Sequence, residues 1–175
     1  MNNENNYKTG IITPKDMYYF DNKSIELGLS SLELMENAGT AVSDFIRVNY
    51  KPSYVLVICG SGNNGGDGLV VARKLRASKW KVKVLMINDT NLSKDNMFML
   101  DQWRGDNISK ESISEIYNAE IIVDAIFGAG LNRNLDPFNC EVFSAVNQSK
   151  AKIISIDLPS GVNGETGKIM NSVIK

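Results

Sequence analysis

Four short apolar runs constrain the fold more than any other feature of this sequence. They span residues 54–59, 82–87, 121–125 and 153–156, and they are rich in Val and Ile. Within each run the apolar residues are nearly continuous, whereas a strand with one solvated face would alternate apolar and polar residues. The runs therefore predict strands that are buried on both faces, as in a parallel sheet.

Segments with helical character separate these runs. They cover residues 69–78, 91–103 and 110–118, and a further one extends from Asp136-Pro137 to about residue 148. Strands that alternate with helices form right-handed βαβ units, and successive units build a doubly wound sheet. The sequence therefore predicts an α/β fold with a mostly parallel sheet.

Two further helices are expected before the first strand. Thr13 is a capping residue followed by proline and an acid, which is typical of a helix start. Ser30 and Glu33 form a capping-box pattern before the segment 32–48. Apolar residues at helical spacing in that segment are Leu34, Ala38, Ala41, Val42 and Phe45.

Composition and charge exclude several classes of protein. A formal net charge of −1 over 175 residues lacks the excess of Lys and Arg that nucleic-acid binders carry. No apolar run is long enough to span a membrane, and residues 1–12, which we expect to be a disordered polar tail, have no signal-peptide core. The two cysteines are too few for a disulfide scaffold and favour a reducing, cytoplasmic setting. The absence of histidine removes Ser-His-Asp catalysis and the usual zinc sites.

The loop after the first predicted strand has the glycine spacing of a dinucleotide-binding turn. Gly60, Gly62 and Gly65 stand between a strand and a helix, where backbone N–H groups can approach phosphate oxygens. A plain strand-to-helix turn capped by Asp67 is the alternative interpretation. Asp89, after the second strand, occupies the place of a ribose-binding acid, although we favour a solvated loop acid there.

The two later loops bring more charge to the same edge of the sheet. Asp124 and Asp157 end predicted strands, and with Asp67 and an anionic pyrophosphate they would crowd one rim. Unit charges of like sign repel by about 4 kcal/mol at ~4 Å and an effective dielectric constant of ~20. A bound cation held by oxygens of Asp124, Asn64 and Ser160 would relieve this repulsion, and so would Arg133. These residues alone do not identify the ion.

Four motifs in register resemble one known family. The sequence is similar to the YjeF N-terminal domain family, the NAD(P)H-hydrate epimerases, from about residue 13 to residue 168. The motifs are Leu34-Met35-Glu36-Asn37-Ala38-Gly39, Asn63-Asn64-Gly65-Gly66-Asp67-Gly68, Val123-Asp124-Ala125-Ile126-Phe127-Gly128-Ala129-Gly130-Leu131 and Asp157-Leu158-Pro159-Ser160-Gly161.

The resemblance implies a Rossmann-like three-layer αβα sandwich and an epimerase activity. The substrates would be NADHX and NADPHX, which are hydrated at C6 of the nicotinamide ring, and a dehydratase, separate or fused, would be the functional partner. Asp157 would be the catalytic acid-base, with Asp67 as the second candidate, and potassium would bind to Asn64, Asp124 and Ser160. Substrate contacts would come from Asn63, Asn64, Gly65, Gly66, Asp67, Gly128, Ala129, Gly130, Leu131, Asn132, Arg133, Asn134 and Asp157.

Three further expectations follow from the resemblance. A homodimer is the family expectation, and a non-catalytic nucleotide-binding or scaffold module of the same fold is the alternative to an enzyme. Residues 13–175 would form a single domain that lacks a C-terminal strand region present in other members. A chain that ends there would expose a sheet edge and melt at a lower temperature than a longer relative.

Overall fold

The computed structural model describes residues 12–87, 90–108 and 110–175. Residues 1–11 of the expected tail and Asp89 lie outside the described residues. In chain order the elements are α1 (Pro14–Glu26), α2 (Ser31–Asn49), β1 (Tyr54–Cys59), α3 (Asn63–Ala77), β2 (Lys81–Met86), α4 (Lys94–Gln102), β3 (Asp106–Ile108), a 3₁₀ helix (Lys110–Asn118), β4 (Ile121–Ala125), α5 (Pro137–Gln148) and β5 (Lys152–Ser155).

A five-stranded parallel sheet forms the middle layer, with strand order β3-β2-β1-β4-β5. Side chains of α2, α3 and α4 pack against one face of the sheet, and side chains of the 3₁₀ helix and α5 pack against the other. All residues of β1 and β4 are buried, as expected for strands that are covered on both faces. The predicted three-layer α/β sandwich is therefore confirmed.

The apolar runs located four of the five strands to within one residue. β1 and β4 begin and end where they were predicted, while β2 and β5 each lie one residue nearer the N-terminus. The edge strand β3 was not predicted, because it has only three residues and its Asp106-Asn107 is not apolar. β3 pairs with β2, and β5 forms the opposite edge of the sheet.

Helix α3 begins six residues earlier than predicted. Its N-cap is Gly62, so the interpretation of Asp67 as the capping residue is wrong. The Asn-Asn-Gly-Gly sequence is typical of a loop, but tertiary packing makes it helical. A Cβ on Gly66 would lie 2.5 Å from the Met35 sulfur atom, so Gly66 lets this turn pack closely against the Met35 side chain of α2.

Helix α2 buries a different face from the one its apolar spacing predicted. Phe45 is 52% exposed, whereas Gly39 and Ser43 are buried. A Cβ on Gly39 would lie 2.5 Å from Val70 Cβ, so α2 and α3 approach closely and the interface selects small side chains over large apolar ones. The predicted N-cap at Thr13 and the predicted capping box at Ser30 are both present, and Thr13 also forms a capping box with Asp16.

Candidate functional site

Three loops meet at the carboxyl ends of β1, β4 and β5. From β1 the strands continue through β2 to β3 on one side of the sheet, and from β4 they continue to β5 on the other side. The strand order therefore reverses between β1 and β4, and doubly wound folds bind ligands in the crevice at such a point. Residues of all three loops come together at Gly128, where an added Cβ would lie 2.7 Å from Asp157 Oδ2 and 3.5 Å from Asn64 Cγ. The structure therefore brings together residues from all three predicted loops.

Asp157 follows β5 with its backbone in the left-handed region, at φ 67°. Aspartate is one of the few side chains that tolerate this conformation. Its Oδ2 accepts a hydrogen bond from the Ala129 N–H at 2.7 Å, which ties it to the loop after β4. This bond orients the carboxylate towards the crevice edge formed by Gly128 and Asn64.

Asp124 is the most deeply buried acid of the site, with no exposed surface. Ser160 donates to it twice, through its Oγ to Oδ1 at 2.5 Å and through its N–H to Oδ2 at 2.8 Å. The Ser155 Oγ and the Ile126 N–H complete a set of neutral donors. Burial raises the pKa of Asp124, and these hydrogen bonds oppose that rise. Sequence reasoning missed Ser155, which lies within the apolar run of β5.

The oxygen-bearing side chains of Asn64, Asp124 and Ser160 have the chemistry that suits a hard cation. The Asn64 amide is buried at both its oxygen and its nitrogen without a hydrogen-bond partner in the structure. A buried unpaired polar group costs about 1–3 kcal/mol, so a ligand on this amide would be stabilising. Among the described residues no cluster of three or more His, Cys, Asp or Glu can hold a metal ion. A cation here would therefore use amide, hydroxyl and carboxylate oxygens, which suit hard ions.

The first turn of α3 supplies backbone donors at the crevice. Its N-cap, Gly62, has no side chain, and its carbonyl accepts the N–H groups of Gly65 and Gly66. Asn63 is exposed at the start of the helix, where N–H groups and the helix dipole favour an anion. Gly65 and Gly66 are buried, so their lack of side chains serves packing.

A residue that the sequence analysis did not select, Asn96 on α4, holds the turn before α3. Its Nδ2 donates to the Gly60 carbonyl at 2.9 Å and to the Gly62 carbonyl at 2.7 Å. Asn96 is fully buried. A polar residue in the inward-facing pattern of α4 is the only sequence feature that pointed to it.

The loop after β4 is anchored at Phe127, Ala129 and Leu131 and exposed at Gly130 and beyond Leu131. Leu131 is buried, and its carbonyl accepts a hydrogen bond from Asn163 Nδ2 at 3.0 Å. Gly130 has open space around its Cα, and Asn132, Arg133 and Asn134 are exposed. The exposed part of the loop can therefore face a ligand while Leu131 fixes its base.

The carboxyl group of Asp67 has a raised pKa. Burial, together with the charges of Asp157 and Asp21, raises its pKa to about 7. The crowding of Asp67 and Asp157 that the sequence predicted is thus present. A carboxyl group that titrates near neutral pH can both give and take a proton.

Comparisons with known proteins agree with this geometry. The family model described as YjeF-related protein N-terminus matches residues 31–175. The NAD(P)H-hydrate epimerase of Lentilactobacillus buchneri (strain NRRL B-30929) is 38% identical over 172 residues, which cover 95% of this chain and 80% of that protein.

Two further proteins extend the comparison. The bifunctional NAD(P)H-hydrate repair enzyme Nnr of Thermofilum pendens (strain DSM 2475 / Hrk 5) is 34% identical over 163 residues, which are 85% of this chain and 30% of that protein. The crystal structure of yeast ynu0 (YNL200c) superposes with a TM-score of 0.79 at 26% identity, covering 94% of this chain and 76% of that one. The chain therefore belongs to the YjeF-related protein N-terminus family.

Proposed function

We propose that this chain interconverts the R and S epimers of hydrated NADH and NADPH and so repairs nicotinamide cofactors. The observation that carries the proposal is the junction of Asp157 with the Gly128-Ala129 turn and Asn64 at the crevice between β1 and β4. The names of the relatives support it, since the similar protein of Lentilactobacillus buchneri is an NAD(P)H-hydrate epimerase.

Asp157 is the group that we assign to proton transfer. The C6 carbon of the substrate bears a hydroxyl group next to the ring nitrogen, and its inversion requires bond breaking assisted by an acid or base. The Ala129 N–H engages Oδ2, which leaves Oδ1 of Asp157 to exchange a proton with the substrate. Asp67, with its pKa of about 7, is the second candidate for this role.

The rest of the crevice would bind and orient the dinucleotide. The start of α3 would receive the pyrophosphate, because its N-terminal N–H groups and dipole favour an anion. Exposed Arg133 would add a positive charge at the rim. The proposed substrate contacts remain Asn63, Asn64, Gly65, Gly66, Asp67, Gly128, Ala129, Gly130, Leu131, Asn132, Arg133, Asn134 and Asp157.

Asn64, Asp124 and Ser160 would hold a potassium ion. The unpaired amide of Asn64 and the buried charge of Asp124 support this assignment. When bound, the ion would neutralise carboxylate charge beside the anionic substrate.

Three proposals concern the cellular context. A dehydratase would consume the S epimer, either as a separate protein or as a fused domain. The bifunctional relative of Thermofilum pendens, in which the matched region is 30% of the length, supports this partnership. We also propose a homodimer, and a cytoplasmic location in keeping with the two free cysteines, Cys59 and Cys140. No helix among the described residues is long and apolar enough to cross a membrane.

An epimer assay tests the proposed function. We expect the chain to convert R-NADHX to the S form in potassium buffer, and chromatography measures the S form as it appears. Asp157→Asn should lower the rate by about 10²–10⁴-fold, because it keeps the shape but removes the acid-base group. Replacing potassium with tetramethylammonium should also lower it. Asp101→Asn, at an exposed acid on α4, is the matched control. If the wild-type chain does not exceed the uncatalysed rate, it is a non-catalytic module.

A further inference from the structure

A cavity of about 200 Å³ adjoins the proposed dinucleotide crevice on the side of α5. It is bordered by Gly60 and Ser61 after β1, Ile87 after β2 and Phe127 after β4, so it lies at the carboxyl edge of the sheet. A larger cavity of about 450 Å³ lies near Lys51 at the amino ends of the strands, where doubly wound folds do not place ligands.

The smaller cavity has both polar and apolar walls, and its polar walls come from Ser61, Arg133, Asp136 and Asn139. Ile87 and Ile126 are buried core residues, while Phe127 and Phe138 are partly buried and add two aromatic rings. Apolar and aromatic walls of this kind bind the faces of a flat ring by stacking and by excluding water. The dimensions suit a single heterocyclic base and not a whole nucleotide.

One buried amide, that of Asn139, lines the same cavity. Asn139 is 7% exposed, and its Oδ1 is buried without a hydrogen-bond partner. The residue lies in the first turn of α5, but Asp136 Oδ1 already accepts its backbone N–H at 2.8 Å, so the side chain has no capping role. A buried carbonyl oxygen without a partner is costly, and a ligand donor that reached it would offset that cost.

We propose that this cavity binds the adenine ring of the dinucleotide and that Asn139 recognises its edge; the inference rests on the proposed function. An amide presents one donor and one acceptor side by side. The adenine edge carries the complementary pair, the 6-amino donor and a ring-nitrogen acceptor. Rotation of the amide exchanges its oxygen and nitrogen, so either end can face the base.

The position of the cavity is consistent with the rest of the substrate. Phe127 lines the cavity and also donates its N–H to Ser160 Oγ at 2.9 Å, and Gly128, the next residue, contacts Asp157. Gly60 and Ser61 lead directly into the start of α3. A dinucleotide can thus place adenine in the cavity, pyrophosphate at α3 and the hydrated ring beside Asp157, with Arg133 at the cavity rim.

Calorimetric titration with nucleotide fragments tests the proposal without relying on catalysis. We expect adenosine 5′-monophosphate to bind the wild-type chain about 10-fold more tightly than inosine 5′-monophosphate, because one correct base-edge pairing discriminates by roughly this factor or more. Asn139→Leu should abolish the difference between the two nucleotides. It should leave the affinity for nicotinamide mononucleotide unchanged. Phe138→Ala, as a second variant, should weaken both purine nucleotides equally and keep their ratio.

Several results would overturn the adenine assignment. One is equal binding of the two purine nucleotides by the wild-type chain. Another is a loss of nicotinamide mononucleotide binding in Asn139→Leu that is as large as the loss of adenosine 5′-monophosphate binding. If epimerase activity is present, an unchanged KM for NADHX in Asn139→Leu would also reject it. If activity is absent but adenine selectivity depends on Asn139, the epimerase proposal fails and the adenine site stands.

Discussion

Gly65 and Gly130 lie in the two glycine-rich segments of the crevice but in opposite surroundings. A Cβ on Gly65 would lie 2.0 Å from the Gly60 carbonyl oxygen, whereas nothing lies within 4 Å of one on Gly130. We expect Gly65→Ala to destabilise the chain by about 1–3 kcal/mol, because backbone atoms must shift. Gly130→Ala should change the free energy of unfolding by less than about 0.5 kcal/mol. Urea denaturation measures both, and equal effects would contradict this account.

The raised pKa of Asp67 makes stability depend on pH. Below about pH 4 the carboxyl is protonated in both the folded and unfolded states. As the pH rises towards 7, the unfolded state ionises first, so the free energy of unfolding falls, by up to about 1.4 kcal/mol per pH unit. Above the folded pKa of about 7 this contribution stays constant.

Asp67→Asn should remove this fall between about pH 4 and 7. Urea denaturation across that range in potassium-free buffer is the measurement. Asp101→Asn, at an exposed acid, should leave the fall intact. A wild-type profile that rises over the same interval would show that another group dominates.

At the scale of elements, the strands could be predicted and the start of α3 could not. Continuous Val and Ile runs determine buried parallel strands by hydrophobicity alone, which is why β1 and β4 were located correctly. Gly65 and Gly66 in the first turn of α3 pack instead against Asn96 and Met35, which are distant in sequence. Propensity favours a loop there, and tertiary packing overrides it.

The candidate site divides in the same way. Asp124 and Asp157 could be predicted because they end apolar runs, and parallel strands place those ends at one edge. Asn96 and Asn139 could not, since their significance comes from hydrogen bonds, made or missing, inside the folded structure. Nor could the apolar period of α2 reveal that Gly39 faces α3.

Helix α4 supports the β1–α3 turn through Asn96. Asn96→Ala removes the donor to the carbonyl oxygens of Gly60 and Gly62 and leaves a cavity. We expect a loss of about 2–3 kcal/mol in the free energy of unfolding, measured by urea denaturation. Met97→Ala, at the adjacent exposed position, should cost less than about 0.5 kcal/mol. A small effect of Asn96→Ala would mean that the turn holds its shape without α4.

At the scale of the whole molecule, α1 is a helix without a buried face. None of its residues is buried, and Tyr18 is 73% exposed. Leu27, which directly follows the helix, is 86% exposed. Exposed apolar residues grouped on one helix are typical of a protein interface, and a second copy of the chain is the partner that we propose.

Tyr18→Ser combined with Leu27→Ser should convert a dimer to a monomer in sedimentation equilibrium, because the substitutions remove apolar area from the interface. Tyr117→Ser is the control, since Tyr117 is similarly exposed but lies on the 3₁₀ helix. A wild-type monomer, or dimers in all three proteins, would exclude α1 as the interface.

The left-handed backbone at Asp157 also restricts how this position can vary. Gly, Asn and Asp adopt φ near 67° with less strain than most residues, and of these only Asp carries an acid. Glutamate has the same chemistry but would strain the backbone. In a library of all substitutions at this codon, Gly and Asn should therefore be among the most stable variants, and both lack the acid that we assign to proton transfer. If that assignment holds, a stable but inactive scaffold can arise from this sequence by one substitution.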